Sequence, residues 1–398
     1  MDKKVVLAFS GGLDTSFCVP YLKEKGFEVH TVLVNTGGFT AGEEKAIKER
    51  ALALGAKTHT TSHIADEYYN KGIKYLIFGN ILKNSTYPLS VSSERIFQAL
   101  EVLRQVKRLK AGYVAHGSTS AGNDQVRFDI VFDILAPQVK ILAPVRDEGL
   151  QRKFEIEYLK KKGFDFSWEK SKYSINQGLW GTSIGGVETL ESDGYLPEEA
   201  YPGKVVKKGE KIFSIDFEKG EPAGVDDKKM KPVDVIKKVE ETAGGFGVGR
   251  DMHVGDTIIG IKGRVGFQAA APLIIIKAHH LLEKHTLVKG QLNWKDHIAS
   301  YYGGLVHEAQ YLDPTARDME AFLESTQKNV TGKVFIRLRP YSFQILGCKS
   351  KNDLMNSSFA KYGEENLSYS ARDIVGFTKV LANPLRIYYG INGKKSGK

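Results

Sequence analysis

The chain has 398 residues, 41% hydrophobic and 26% charged, which is ordinary for a globular protein of two or three domains. Its net charge of +10 is spread along the chain, with no basic run interleaved with aromatics. This favours an enzyme for anionic substrates over a nucleic-acid binder, so no nucleic-acid partner is predicted. The two cysteines, Cys18 and Cys348, form no metal-binding pair and predict a reducing, cytoplasmic location. No apolar stretch could cross a bilayer, so no membrane partner is expected.

The first 165 residues alternate short apolar runs with amphipathic stretches. Strands are predicted over 4–9, 28–35, 57–61, 113–116 and 139–142, and helices over 15–25, 43–54 and 94–110. This alternation predicts an α/β fold, a doubly wound parallel sheet with helices on both faces. Ligands bind such sheets at the carboxyl ends of the strands.

After about residue 165 the pattern changes to loops rich in Gly, Ser and Pro, separating alternating strands from helices. Strands are predicted over 211–217, 332–339 and 342–346, and a helix over 233–243. We predict an α+β domain over 166–365 that completes the substrate site and joins subunits. The tail, 366–398, is predicted to pack on another subunit.

The strongest local motif is AFSGGLDTS, between the first strand and the first helix. Two glycines let the backbone N–H groups approach a ligand, and the helix directs its positive end to the same place. This arrangement suits pyrophosphate, with Asp14 as a Mg²⁺ ligand or helix N-cap. The alternative is a plain strand-to-helix turn. Since no lysine is present for a γ-phosphate, the loop indicates cleavage between the α- and β-phosphates of ATP.

A second polar motif, HGSTSAGNDQVRFD, follows the strand at 113–116. Asn and Arg side chains donate to carboxylates, and Asp124 could accept from an ammonium group. The position at a strand end favours a ligand site over a polar surface loop. His116 is a candidate for proton transfer, with a structural histidine as the alternative.

These motifs resemble known families. SGGLDTS is similar to the loop of the N-type ATP pyrophosphatases, and Leu-Asp-Thr-Ser favours the argininosuccinate synthase branch. HGSTSAGNDQVRFD resembles that family's HGxTxxGNDQxRFE, and LAPQVKILAP resembles the stretch after it. The resemblance continues through GVGR, 247–250, nearly to the C-terminus. It implies ATP-dependent joining of citrulline to aspartate through an adenylated ureido carbon, with release of AMP and pyrophosphate, by a homotetramer.

The resemblance also implies residue roles. The ATP site would comprise Ala8, Phe9, Ser10, Gly11, Gly12, Leu13, Asp14, Thr15, Ser16, Val34 and Gly117. Aspartate would be held by Thr119, Asn123 and Asp124, and citrulline by Tyr87, Ser92, Arg95, Asn123, Arg127, Ser174 and Ser183. Asp14, Asp124 and His116 would be the catalytic residues, with Asp14 as the Mg²⁺ ligand.

The sequence departs from the family pattern in two places. The family's LGTSLARP is LSVSSERI here, with Ser90, Val91 and Glu94 as replacements. A glutamate and a tyrosine that hold the amino-acid end of citrulline are replaced by Gly255 and Phe267. Either Asp256 supplies the carboxylate, or the substrate is an N-acetyl- or N-succinylcitrulline that needs more room. Lys262, Arg264 or Lys277 would then meet a succinyl carboxylate.

A rival function is a tRNA-thiolating enzyme, which shares the phosphate loop and would be helped by the positive charge. Such enzymes usually need a sulfur-carrying cysteine, and neither Cys18 nor Cys348 lies in a suitable context. A catalytically inactive nucleotide-binding protein is disfavoured by the intact Ser10, Asp14, Asn123 and Asp124.

Overall fold

The computed structural model describes residues 3–166, 172–358, 362–363 and 368–393. The chain divides into two compact units, 1–352 and 353–398. The strands are β1 (Lys4–Ala8), β2 (Glu28–Asn35), β3 (Thr58–His63), β4 (Tyr113–Ala115), β5 (Lys140–Leu142), β6 (Ser174–Gly178), β7 (Gly181–Gly185), β8 (Lys211–Glu218), β9 (Glu221–Val225), β10 (Lys228–Lys229), β11 (Arg250–Asp256), β12 (Lys262–Gln268), β13 (Gly332–Arg339) and β14 (Ser342–Lys349). The α-helices are α1 (Leu13–Glu24), α2 (Ala41–Ala53), α3 (Ala65–Tyr68), α4 (Lys74–Phe78), α5 (Ser90–Leu109), α6 (Asp124–Leu135), α7 (Pro144–Asp147), α8 (Arg152–Lys161), α9 (Pro232–Gly244), α10 (Ala270–Thr286), α11 (Lys289–His307), α12 (Pro314–Thr326), α13 (Ala371–Leu381) and α14 (Asn383–Asn392).

The N-terminal part is a parallel sheet of five strands in the order β3-β2-β1-β4-β5. The central strand β1 is an apolar run because helices cover both faces of the sheet. The predicted α/β fold is therefore confirmed, and the strand order reverses between β1 and β4. That reversal creates a crevice at the carboxyl ends of the strands.

The rest of the larger unit is built on two antiparallel sheets, which confirms the predicted α+β architecture. One sheet has the order β10-β9-β8-β13-β14, and the other has the order β11-β12-β7-β6. The second sheet positions the site, because β6 and β7 carry two of the predicted substrate serines and β12 carries Phe267.

The second half of the polar motif at 116–129 is helical, because helix α6 begins at Asp124. Phe128, Val131 and Phe132 recur at helical spacing and are buried in the core. The apolar face of α6 thus fixes the polar residues of its first turn at the end of β4.

A continuous apolar core joins the parallel sheet to the C-terminal part of the larger unit. Phe78 of α4, for example, stacks on His279 of α10 at 6.2 Å between ring centroids. Residues on the two sides of the predicted boundary at 165 therefore share one interior. The boundaries at 165 and 366 stay predictions.

The smaller unit contains α13 and α14. A capping box starts α13, where Ser370 accepts from the Asp373 N–H and the Asp373 carboxylate accepts from the Ser370 N–H. Both helices have apolar side chains that are mostly exposed: Ile374, Val375, Phe377, Val380, Leu381, Leu385, Ile387, Tyr388, Tyr389 and Ile391.

Candidate active site

The main cavity lies where the order of the parallel strands reverses, and its volume is about 640 Å³. Its walls come from the segments that follow β1, β2 and β4, and from β6. Of the predicted site residues, it is lined by Ala8, Phe9, Ser10, Gly12, Leu13, Asp14, Thr15, Val34, Arg95, His116, Gly117, Thr119, Asp124 and Ser174. The two sequence motifs therefore face one another across a single cavity.

The loop between β1 and α1 forms one wall of this cavity. The Ser10 and Thr15 hydroxyls are 3.4 Å apart, and the Gly12 N–H donates to Ser10 Oγ. The N-cap of α1 is Gly12, which leaves the first N–H groups without a side-chain cap and able to meet an anion. The alternative that Asp14 caps the helix is therefore wrong, because Asp14 lies inside the first turn. Ser16 is buried, and its hydroxyl has no partner among the described residues.

Gly117 brings the second motif against this loop. A Cβ at position 117 would lie 3.0 Å from the Asp14 carbonyl carbon and from the Thr15 nitrogen. Only glycine permits this approach without a shift of the backbone. The predicted contribution of Gly117 to the phosphate end of the cavity fits this geometry.

A carboxyl pair that the sequence motifs did not indicate lies below the loop. The Asp14 carboxyl is hydrogen-bonded to that of Glu155 on α8. Burial and the neighbouring Asp14 charge raise the pKa of Glu155 to about 8, so the pair holds a proton at neutral pH. Arg152 faces the pair and lines the cavity. Glu155 is remote in sequence and lies on an ordinary amphipathic helix, so no local signal identified it.

The second wall is centred on Asp124, whose carboxylate is held by two arginines. Arg95 Nε donates to Oδ2 at 2.8 Å, and Arg127 Nη1 donates to Oδ1 at 3.0 Å. Although burial acts to raise the pKa of Asp124, these two charges lower it. A carboxylate with a lowered pKa is a weak general base. The arrangement therefore favours binding of an ammonium group over removal of its proton.

His116 is buried and uses both ring nitrogens. Nε2 lies 2.9 Å from Asp129 Oδ1, and Nδ1 accepts from the Ser118 N–H at 3.2 Å. The ring stacks on Phe128. The His116 contacts favour the structural alternative, and a role in proton transfer stays a prediction.

Arg127 joins the second wall to α11 and α5. Its guanidinium donates to the His307 carbonyl oxygen and to Ser92 Oγ, and Ser92 also contacts His307 Nδ1 at 3.2 Å. Burial and the Arg127 charge lower the pKa of His307 to about 4, so its ring is neutral. His307 lies outside both motifs, at the C-terminal end of α11, where the local sequence gives no sign of this role.

A side wall continues from β6 to the remaining predicted substrate residues. Ser183 pairs with Asn176 on one side and with Phe267 on the other, so these side chains share one face of the sheet. The Phe267 ring contacts Tyr87 with centroids 5.5 Å apart. Asn176, which sequence analysis missed, accepts from Arg95 Nη2 at 2.7 Å and links this wall to Asp124. Asn123 accepts from the Ile258 N–H, so the β11–β12 hairpin closes on the motif.

The departure at Glu94 is accommodated by its surroundings. The buried carboxylate accepts from the Thr36 hydroxyl and pairs with Arg95 at 3.4 Å. Gly178 leaves it space, since a Cβ there would lie 2.6 Å from Glu94 Oε1. A buried charge with these partners is compatible with a stable fold.

Comparison with protein-family models gives two matches that together cover most of the chain. The N-terminal HUP domain of arginosuccinate synthase matches residues 4–165, and its C-terminal domain matches residues 173–388. The chain belongs to the argininosuccinate synthase family. The argininosuccinate synthase of Methanocaldococcus jannaschii is 38% identical over 94% of this chain and 93% of its own length. Those of Sulfurisphaera tokodaii and Dictyoglomus turgidum are 35% and 36% identical, over 96% and 99% of this chain and 100% and 99% of their own.

Membership of the argininosuccinate synthase family makes the chain an ATP-dependent carbon–nitrogen ligase of arginine biosynthesis that uses citrulline and aspartate. The tRNA-thiolating alternative is not favoured. Cys18 is fully buried and its pKa is raised by that burial, so it is not a reactive thiolate. Among the described residues, no helix has the length and apolarity that a membrane span requires.

Proposed function

We propose that the main cavity binds ATP through the loop residues 8–16 and Gly117, with Val34 beside the adenine. The first turn of α1 would direct its N–H groups at the phosphates that leave as pyrophosphate. This proposal is supported by one observation above all, that both motifs line one cavity at the strand reversal.

Aspartate is proposed to bind at Thr119, Asn123 and Asp124, with its ammonium group on Asp124. The ureido substrate is proposed to lie along the side wall, near Tyr87, Ser92, Arg127, Ser174 and Ser183. Arg127 already links Ser92 to Asp124, which supports a common site for both substrates.

The residues at the loop fit a Mg²⁺ ion. Asp14 and the hydroxyls of Ser10 and Thr15 offer hard oxygen ligands beside the place proposed for the phosphates. Mg²⁺ usually takes one or two carboxylates and completes its shell with phosphate oxygens and water. When bound, the ion would neutralise charge on the phosphates.

The reaction consists of two displacements. The ureido oxygen attacks the α-phosphorus, and pyrophosphate leaves toward the α1 N-terminus. The aspartate ammonium group then loses a proton to solvent, and its amine attacks the adenylated ureido carbon. AMP leaves, and the new C–N bond loses a second proton to solvent. The residues of this chain position the three reactants and stabilise charge, without a side-chain nucleophile.

Pyrophosphate release tests this function. With ATP, aspartate and citrulline present, steady-state release is expected to depend on all three, because the adenylated intermediate must react with aspartate before the next turnover. Asp14→Asn should reduce kcat because it removes the carboxylate proposed to hold Mg²⁺. The protein should stay folded, because the change also removes the repulsion between two facing carboxyl groups. Release beyond one equivalent per site without aspartate, or full activity of Asp14→Asn, would contradict the proposal.

We further propose a cytoplasmic homotetramer in which the tail, 366–398, contacts neighbouring subunits. The exposed apolar side chains of α13 and α14 support a docked tail. Phe377→Asp together with Leu381→Asp should lower the mass measured by light scattering. An unchanged mass would count against the role of the tail.

A further inference from the structure

A polar corner lies at the end of the side wall, around Gly255. We define the Gly255 corner as Lys83, Asn84, His253 and Gly255. The His253 ring stacks on Tyr87 with centroids 5.2 Å apart. A Cβ on Gly255 would lie 2.7 Å from His253 Nε2 and 3.3 Å from Asn84 Nδ2. The expectation that glycine opens extra room here is wrong, because two nitrogen atoms converge on that space.

The His253 ring presents a donor to this space. The residue is more than nine-tenths buried, and Nδ1 has no partner among the described residues, so Nε2 is the nitrogen that stays open. Burial and the charge of Lys83 lower the pKa of His253, which keeps the ring neutral with one N–H. Since an unsatisfied buried N–H is rarer than an unsatisfied acceptor, the proton belongs on Nε2.

Asn84 supplies a second donor. Its Nδ2 donates one hydrogen to the Val254 carbonyl oxygen at 3.1 Å, which leaves the second hydrogen of the amide. Lys83 precedes Asn84 and pairs through its backbone with Tyr87, and its charge contributes to lowering the pKa of His253 and of His307. The corner therefore combines two N–H donors with a cation.

No carboxylate among the described residues is placed to satisfy these donors. Asp256 is next to Gly255 on β11, so its side chain points to the other face of the sheet, where it pairs with Lys262 at 2.6 Å. Asp124 is engaged by two arginines. Asp256 is thus not the carboxylate that an α-ammonium group would need at this corner.

The three cations expected to meet an acyl carboxylate lie elsewhere. Lys262 is paired with Asp256, and Arg264 donates to the Gly194 carbonyl oxygen from the opposite face of β12. Lys277 lies 5.2 Å from the Phe343 ring centroid. Lys83 is the cation that the fold brings to the corner.

We propose that the Gly255 corner is a carboxylate-binding subsite for the ureido substrate, with His253 Nε2–H, Asn84 Nδ2–H and Lys83 as its ligands. This inference rests on the proposed use of a ureido substrate along the side wall. The carboxylate has two chemical sources, the α-carboxylate of citrulline or the terminal carboxylate of an N-succinyl group. Both place an anion where the corner has donors and no counter-charge.

The test measures kcat/KM by pyrophosphate release for two pairs of substrates. One pair is citrulline and its α-carboxamide, and the other is N-succinylcitrulline and N-acetylcitrulline. In the wild-type protein, the substrate whose carboxylate occupies the corner should have a kcat/KM about tenfold or more above that of the other member of its pair. The pair that shows the difference identifies the source.

Variants of the corner residues test whether this difference in kcat/KM arises at the corner. Lys83→Met should reduce the ratio of the two kcat/KM values in the responsive pair to about one. The member that lacks the carboxylate in question should keep its kcat/KM. His253→Phe keeps the stacking on Tyr87 but removes the N–H, and should reduce the same ratio. Lys262→Met is the matched control, because it removes a lysine from the other face of the same hairpin. Its ratio should equal that of the wild type.

The outcomes separate the subsite from the function. Pyrophosphate release with unchanged ratios in both Lys83→Met and His253→Phe would overturn the subsite and leave the ligase activity standing. Equal rates within both pairs in the wild-type protein would also overturn it. Failure of every ureido substrate to release pyrophosphate would instead contradict the proposed function.

Discussion

The two ends of the site are built in different ways. The end proposed for the phosphates offers backbone N–H groups of one continuous segment, and its two carboxyl groups, Asp14 and Glu155, face each other. The end proposed for the amino acids offers side chains from α5, α6, α11 and β11, and its central carboxylate, Asp124, is held by two arginines. A short sequence motif can specify local backbone geometry, whereas a site assembled from side chains of distant elements depends on the whole fold.

The largest effect is expected at the amino-acid end, from Asp124→Asn. The change leaves Arg95 and Arg127, which are largely buried, without their shared carboxylate. Breaking a fully buried ion pair costs about 3–5 kcal/mol, which is an upper limit for the partly exposed Asp124. We expect kcat/KM for aspartate to fall by about 100-fold or more, with a lower melting temperature. Steady-state kinetics on the folded fraction checks this prediction. A loss below tenfold would mean that Asp124 does not bind aspartate.

An intermediate effect is expected at the phosphate end, from Gly117→Ala. The added methyl group would lie 3.0 Å from backbone atoms of Asp14 and Thr15, so the loop must move. Small displacements of positioning groups cost considerable rate, and we expect KM for ATP to rise about tenfold. Gly122→Ala is the control, because nothing lies within 4 Å of its Cβ position. Equal KM values for the two variants would show that Gly117 does not determine the position of the loop at 8–16.

The smallest effect concerns stability in acid. The pKa of His307 is lowered to about 4 when folded, so between pH 6.5 and 4 the unfolded chain binds a proton that the folded chain lacks. His307 therefore lowers the free energy of unfolding as the pH falls through that window. His307→Gln should flatten the fall in melting temperature between pH 6.5 and 4. His63→Gln, at an exposed position, should match the wild type.

Most of the N-terminal fold could be predicted because apolar strands and amphipathic helices alternate there. Helix α6 was missed because the polar residues of its first turn mask the helical repeat of Phe128, Val131 and Phe132. The first turn of α5 was also missed, since its buried Ser90, Ser92 and Ser93 carry no amphipathic signal.

The site could be predicted only where motifs carry it. The loop at 8–16 and the residues at 116–124 were found, and most of them line the cavity. Four residues of the site were not predicted, because the sequence around each shows only the pattern of the helix or strand that contains it. They are Glu155, Asn176, His253 and His307. They become site residues only when distant strands and helices meet.

The shared interior has a consequence for cutting the chain. Helix α4 contacts α10 and α12, and its Leu76, Ile77 and Phe78 are covered in the whole larger unit. A fragment that ended at residue 165 would expose this apolar surface to water and would tend to aggregate. Separate expression of the nucleotide-binding part therefore requires new polar residues on that surface.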